Sequence, residues 1–461
     1  MLGTTLLSRR TWLKSTSCGF GYLALAGLCS REAAAGTATY QNPLAPKTPH
    51  FPARAKRVIF LCMRGGPTHV DTFDYKPALT RNDGRTVSGG NQGRRLMKSP
   101  WKFNFSGQSG LPISELFPHV ARHADNLCLL NSMQTTVPNH PQAFMMLHTG
   151  EFRFTRPSLG AWTLYGLGSE NQDLPGFITI SPPSDLGGAQ NYGNAFLPAA
   201  YQATRIGESG VQLANARIGN LTSPLPANMQ RRQLELLQSM NQDLLQRQQV
   251  NQVLEGVINS YELGFRMQHS LPELMDLSRE TQQTKSMYGI GGGQTNDFGQ
   301  QCLMARRFAE AGVRFIELSH GNWDTHSNLR NGVSRLSSQI DQPIGALLTD
   351  LKQRGLLDDT LVMWGGEFGR TPEVRQQDGR DHNATGFSMW VAGGGVKGGM
   401  RYGATDENGI TAVDRPMHHH DLHATLLHLL GINHQRLSYR YGGRDYTLTD
   451  IHGHVAHDIM A

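Results

Sequence analysis

A chain of 461 residues with a formal net charge of +6, half of it supplied by Arg9, Arg10, Lys14 and Arg31 against Glu32, is too mildly basic to point to a nucleic-acid partner. Its length suits one large α/β domain or a domain with a sizeable insertion, and no apolar run reaches the roughly 18 residues that a membrane span needs. Beyond residue 35 the cysteines are Cys62, Cys128 and Cys302, an odd number without C-x-x-C spacing, so the sequence predicts neither a disulfide framework nor a thiolate zinc site. Cys62 and Cys128 sit in apolar runs and read as small core residues.

Taken in chain order, the first feature is Ser8-Arg9-Arg10-Thr11-Trp12-Leu13-Lys14, followed by a weakly apolar run over 19–28 and by Ala33-Ala34-Ala35. Basic, apolar and cleavage regions in this order predict a twin-arginine export signal over 1–35. The expected partner in export is the twin-arginine translocase, and the expected location is periplasmic or extracellular. Leu28 is not the small residue that lipoprotein cleavage wants before Cys29, so lipid anchoring is the lesser reading. Residues 36–56, with Pro43, Pro46, Pro49 and Pro52, read as an extended linker.

The run 57–63 is continuously apolar, too short for a helix and stopped by Gly65-Gly66-Pro67, which predicts a strand buried on both faces. Similar runs occur at 313–318, 360–364 and 387–392, with helical segments at 299–311, 334–354 and 421–430. The alternation predicts an α/β fold, a doubly wound, mostly parallel sheet flanked by helices in a single domain over 57–455. Residues 225–285, rich in Gln, Leu, Arg and Glu with a stripe of Leu234, Leu237, Leu244 and Leu245, predict a helical insertion that serves packing. The glycine run 289–293 lacks the Lys-Ser/Thr ending of a phosphate loop and reads as a connection. Arg94, Arg95, Lys98 and Lys102 around Trp101 read as a solvated loop.

The segments just past the buried strands carry the chemistry. The first strand runs into His69-Val70-Asp71, the second into His320-Gly321-Asn322-Trp323-Asp324-Thr325-His326, and the third into Gly366-Glu367-Phe368-Gly369-Arg370. In open parallel sheets, ligands bind past the carboxyl ends of the strands. Asp324 and His326 stand two apart, so in an extended segment both can reach one ion. His382, in Arg380-Asp381-His382-Asn383, would arrive at the same rim from a loop. Imidazoles and carboxylates without thiolate favour zinc, manganese or iron over calcium or magnesium.

The segments 65–77 (GGPTHVDTFDYKP), 139–150 (NHPQA and a downstream HTG), 323–326 (WDTH), 366–372 (GEFGRTP) and 379–382 (GRDH) resemble domain-of-unknown-function family 1501, a sulfatase-like branch of the alkaline phosphatase superfamily. The similarity runs in order through residues 55–450. It implies an alkaline phosphatase- or sulfatase-like fold and two divalent metal ions, zinc or manganese before calcium, held by Asp71, Asp324, His326, Glu367 and His382. His69, His320 and Asp381 become candidates for orienting those ligands. Where sulfatases carry a modifiable Cys or Ser, counting back from Thr149-Gly150 reaches Asn139-His140-Pro141. His140 is therefore a candidate catalytic group beside Thr135 and Thr136, and Arg370 a candidate anion clamp.

His418-His419-His420-Asp421-Leu422-His423 precedes an apolar helix and reads as its capped amino end rather than as a metal tract. The expected function is an exported metal-dependent hydrolase of phosphate or sulfate esters, acting on an anionic small molecule or glycan. The alternative is a non-catalytic module that binds an anionic glycan or a protein on a hydrolase-like scaffold.

Overall fold

In the central strand β1 (Arg57–Met63), all seven residues are buried, and their alternation builds two cores. Ile59, Leu61 and Met63 pack on one face with Phe298, Leu303 and Phe308 of α6 (Asn296–Glu310) and Leu336, Ile340 and Ile344 of α7 (Leu329–Gln353). Val58, Phe60 and Cys62 pack on the other with Phe144 and Leu147 of α2 (His140–Thr149), Trp162 of α3 (Leu159–Leu167), and Leu422 and Leu426 of α8 (His419–Leu429). A strand whose side chains alternate between two helical layers must be apolar at every position, which is why 57–63 shows no polar face. The residues described are 42–86, 94–213, 216, 225–248, 252–375 and 378–461 of a computed structural model. The export signal expected over 1–35 lies outside them.

The sheet has nine strands among the described residues. Its remaining members are β2 (Leu127–Gln134), β3 (Phe177–Ile180), β4 (Thr204–Ile206), β5 (Phe315–His320), β6 (Thr360–Gly365), β9 (Phe387–Ala392), β10 (Met400–Tyr402) and β11 (Met417–His418). The order is β10-β2-β9-β6-β1-β5-β3-β4, with β11 also beside β2. β1 pairs in parallel with β5, Val58 facing Phe315, and with β6, Val58 facing Leu361. β9 runs antiparallel to both β6 and β2. The chain passes from β6 to β9 through a hairpin, β7 (Gly369–Arg375) and β8 (Gly379–Asn383), rather than through the helix that usually carries a parallel crossover.

Residues 42–56, expected as a linker, lie against the domain. Leu44 and Ala55 are buried, Lys47 Nζ donates to the Tyr165 carbonyl, and the backbone of Arg54 and Ala55 bonds to Leu429. The insertion is a pair of helices, α4 (Ala227–Gln248) and α5 (Gln252–Met275). Leu234 and Leu271 are buried while Leu237 is exposed; the side chains of Leu244 and Leu245 lie outside those described. The tract at 418–423 caps α8: the His418 ring accepts from the backbone of His420, and Asp421 accepts from the backbone of His418.

Trp364 and Trp390 stack across β6 and β9 at 6.2 Å and 3° and are fully buried. Trp390→Ala should lower unfolding free energy by about 3–5 kcal/mol, the usual cost of emptying a buried aromatic site, while Trp390→Phe should lose distinctly less in the same denaturant titration.

Candidate metal centre at the carboxyl rim

Three segments deliver one group of four donors. His140 opens α2, where Asn139 caps the helix by accepting from the Gln142 N–H, Pro141 fits the first turn, and Gly150 ends it in the left-handed region at φ 68°. Asp324 and His326 follow β5 on a segment pinned by buried Trp323, whose N–H bonds to the Arg64 carbonyl at 2.9 Å and whose carbonyl accepts from the Thr325 N–H in a tight turn over Asp324. His382 comes from β8, opposite Arg370 of β7 in register.

Two glycines let these segments approach. A Cβ on Gly65, at φ +104°, would lie 2.7 Å from the backbone nitrogens of Trp323 and Asp324, and one on Gly379 would lie 1.7 Å from the His326 carbonyl oxygen. Neither position accepts a side chain without moving the Asp324–His326 segment.

One ligand atom from each of His140, Asp324, His326 and His382 lies within 4.8 Å of the others. Around Asp324 Oδ1, the Nε2 atoms of His326, His140 and His382 stand at 2.9, 3.3 and 3.4 Å, and Arg370 Nη2 donates to it at 2.5 Å. The second nitrogens of two rings are anchored behind. His140 Nδ1 donates to Glu367 at 2.5 Å, and His382 Nδ1 donates to the Pro138 carbonyl at 2.8 Å. Both contacts turn Nε2 inward, and the His140 Nε2 atom is buried without a hydrogen-bond partner. His326 differs: Arg375 Nη1 donates to its Nδ1 at 2.7 Å, and Asp381 Oδ1 is 3.6 Å from the same nitrogen.

The other expected residues divide between the edge of this group and the surrounding protein. Glu367 is fully buried one step behind His140 and also accepts from the Gly65 N–H at 3.0 Å. Asp71 is not brought to the group: Arg380 grips both of its oxygens at 2.7 and 3.0 Å, and Thr68 donates to it. Arg370 is fully buried, with Nε on the Gly66 carbonyl and Nη2 on the Gly65 carbonyl and Asp324, so these donors face the protein rather than a ligand. Thr136 meets His418 Nε2 at 3.0 Å, and Thr135 bonds through its N–H to the Ala384 carbonyl. His69 donates to the Gly409 carbonyl and His320 to Gln339; of the three candidates for orienting ligands, only Asp381 adjoins the group.

Sequence reasoning passed over Arg375 and read Arg94 as part of a wet loop, whereas Arg94 holds Asp381 at 2.9 Å. The available signal is Asp381 beside a histidine in Arg380-Asp381-His382.

Electrostatics follow from this packing. Burial disfavours the charged form of His140, but the Asp324 and Glu367 carboxylates on either side of the ring outweigh it and push the ring up to about 9. Burial likewise opposes ionised Asp324, yet His140, His382 and Arg370 hold its carboxyl well below the usual range. Burial, then Arg370, lowers His326, and burial takes His320 down to about 4.

An α/β sheet of mainly parallel strands with a donor group past its strand ends belongs to the class in which the rim is the ligand site. Residues 55–460 match the family model described as "Protein of unknown function (DUF1501)", and the chain belongs to that family. None of the curated proteins matches the sequence. Among solved structures it is similar to the sulfatase PsFucS1 from Pseudoalteromonas sp., at 13% identity over 82% of this chain and 68% of that one with a TM-score of 0.37. It is similar to the phosphonate monoester hydrolase SpPMH from Silicibacter pomeroyi, at 11% identity over 82% and 73% with a TM-score of 0.37. A protein in the alkaline phosphatase superfamily from Vibrio parahaemolyticus is similar at 12% identity over 86% and 71% with a TM-score of 0.36.

Asp71→Asn leaves Arg380 buried against a neutral partner and should cost about 3–5 kcal/mol in denaturant titrations. In metal-depleted protein, His140 adds stability that is fully present below its ordinary value of 6.5 and is lost as pH rises through about 9. The stability difference between wild type and His140→Gln should therefore shrink across that window; a difference that grows with pH would contradict the assignment.

Proposed function

We propose that the protein is an exported metal-dependent hydrolase of phosphate or sulfate esters, with His140, Asp324, His326 and His382 as the donors for one divalent ion. The observation that carries this reading is the convergence of those four donors within 4.8 Å at the carboxyl rim. The donor set fits a metal: His140 Nε2 is a buried nitrogen that makes no hydrogen bond, 3.3 Å from Asp324 Oδ1, and the rings of His140 and His382 are turned inward by contacts at Nδ1. For His326 to present Nε2, Asp381 is the acceptor for its Nδ1–H, and Arg375, whose side chain is 41% exposed, turns away.

Three imidazoles and a carboxylate suit zinc or manganese. One ion rather than two is proposed, because Asp71 is engaged by Arg380 and Glu367 by Gly65 and His140. When bound, such an ion polarises an ester oxygen and lowers the pKa of water. The remaining work belongs to the chain. Glu367 holds the His140 proton at Nδ1, Arg370 fixes Asp324 against the Gly65-Gly66 turn, and Asp381 orients His326. His140 occupies the head of α2 where the resemblance places a nucleophile, and of the candidate catalytic groups it is the one in the cluster. Along α2 toward its carboxyl end, a cavity of about 260 Å³ bounded by Thr136, Arg153, Arg156 and His420 is a candidate berth for the rest of an anionic substrate.

A binding-only role on the same scaffold is the second reading, favoured by the inward-facing donors of Arg370. A screen of aryl phosphates and aryl sulfates with added zinc, manganese or calcium separates the two. The hydrolase reading expects turnover that Asp324→Ala and His382→Ala abolish together with the bound metal. Glu367→Gln should weaken metal binding by about 10- to 100-fold through loss of the anchor on His140. Metal-replete protein with no turnover on any of these esters would leave the binding role standing.

A further inference from the structure

Away from the rim, the sheet face beneath α2 buries three polar groups that apolar packing does not explain. Cys62 on β1, Glu317 on β5 and His148 on α2 are exposed by 0, 2 and 4%, and one ligand atom from each lies within 4.8 Å of the other two. His148 Nε2 is 3.2 Å from Glu317 Oε1 and 4.0 Å from Cys62 Sγ. The parallel register sets Phe60 beside Glu317 and Cys62 beside Ser319, so Cys62 and Glu317 share a face.

The tautomer is constrained. His148 Nδ1 donates to the Phe144 carbonyl one turn back, at 2.7 Å, which leaves Nε2 facing the carboxylate. A ring lone pair against a carboxylate oxygen at 3.2 Å repels, so a cation belongs between them: a proton or a metal ion. Two neighbours speak for the larger cation. Ser319 Oγ and Thr179 Oγ1, buried and in register with Cys62 and Glu317, have no hydrogen-bond partner, so the polar face extends beyond what one shared proton satisfies.

We propose that Cys62, His148 and Glu317 form a structural metal site, separate from the rim group, for zinc or a similarly borderline divalent ion. Thiolate, imidazole and carboxylate together select such an ion over calcium or magnesium. As the metal–sulfur bond forms, the Cys62 thiol releases its proton. A dication with one thiolate, one carboxylate and a neutral imidazole sums to zero charge, as a site sealed in the core requires. Tetrahedral bonds of about 2.0–2.3 Å imply donor separations of about 3.3–3.6 Å; the observed 3.2 and 4.0 Å reach these with shifts of a few tenths of an ångström. The sequence signal is Glu317, a carboxylate set between Phe315-Ile316 and Leu318 in a buried strand. His148 lies eight residues after His140 on α2, about 12 Å along the helix, so an ion here ties to β1 and β5 the same helix that carries His140 to the rim.

Full-length protein depleted of metal and reconstituted with Co(II) tests the site. Wild type should show the near-ultraviolet thiolate-to-cobalt charge-transfer band. Cys62→Ser should lose that band and about one metal equivalent, while Asp324→Ala, a rim variant, should keep the band. A wild-type protein that takes up cobalt without the band, or a band unchanged in Cys62→Ser, overturns the proposal and leaves a proton between His148 and Glu317. If Cys62→Ser fails to fold, Cys128→Ser and Cys302→Ser, which should both keep the band, decide instead, loss of the band in either overturning the assignment to Cys62; the band is independent of whether the rim site binds metal or turns over esters.

Discussion

A single carboxylate oxygen, Asp324 Oδ1, organises the rim. Three imidazole nitrogens and a guanidinium lie within 3.4 Å of it, and no arrangement of these groups is stable unless cations or protons balance the anion. Each contact also ties a separate part of the chain to the segment after β5: α2 through His140, the β7–β8 hairpin through Arg370 and His382, and the Gly65-Gly66 turn through Arg370. That convergence is permitted only because Gly65 and Gly379 leave no side chain where the backbones meet. The local constraint is steric, and the electrostatic gain depends on it.

The parts of this plan that are local in sequence were legible. Continuous apolar runs mark β1, β6 and β9, because strands covered on both faces admit no polar alternation. The spacing of Asp324 and His326, two apart, predicts that their side chains can reach a common point, and they stand 2.9 Å apart. β9 was legible as a strand but not in direction, since the hairpin before it, rather than a helix, decides the pairing. β2 and β3 are short or flanked by polar residues, and their runs resemble core segments of any kind.

Pairing across hundreds of residues could not be read. Asp71 follows β1 as a ligand would, yet Arg380 takes both of its oxygens, and nothing in either local pattern announces a bidentate pair 309 residues apart. Arg370 shows the same limit: guanidinium suits an anion wherever it is exposed, but here burial turns its Nε and Nη2 donors onto carbonyls and Asp324. Residue type narrows the chemistry, and burial decides its direction.

Charge balance around the rim bears on the kind of ligand it favours. Three carboxylates, Asp324, Glu367 and Asp381, share this neighbourhood with three guanidiniums, Arg370 on Asp324 and both Arg375 and Arg94 on Asp381, so its fixed charges sum to zero before any histidine titrates. Under the proposed function, a divalent ion among the imidazoles adds two positive charges in a partly desolvated place where a surplus is costly. A neutral substrate leaves that surplus standing, whereas a phosphate or sulfate ester removes most or all of it. The balance of guanidiniums and carboxylates thus does more than hold the loops: under that proposal, with the protein's own acids neutralised, the charge of a bound ion would be left for the substrate to answer, which would favour anionic esters over neutral ones.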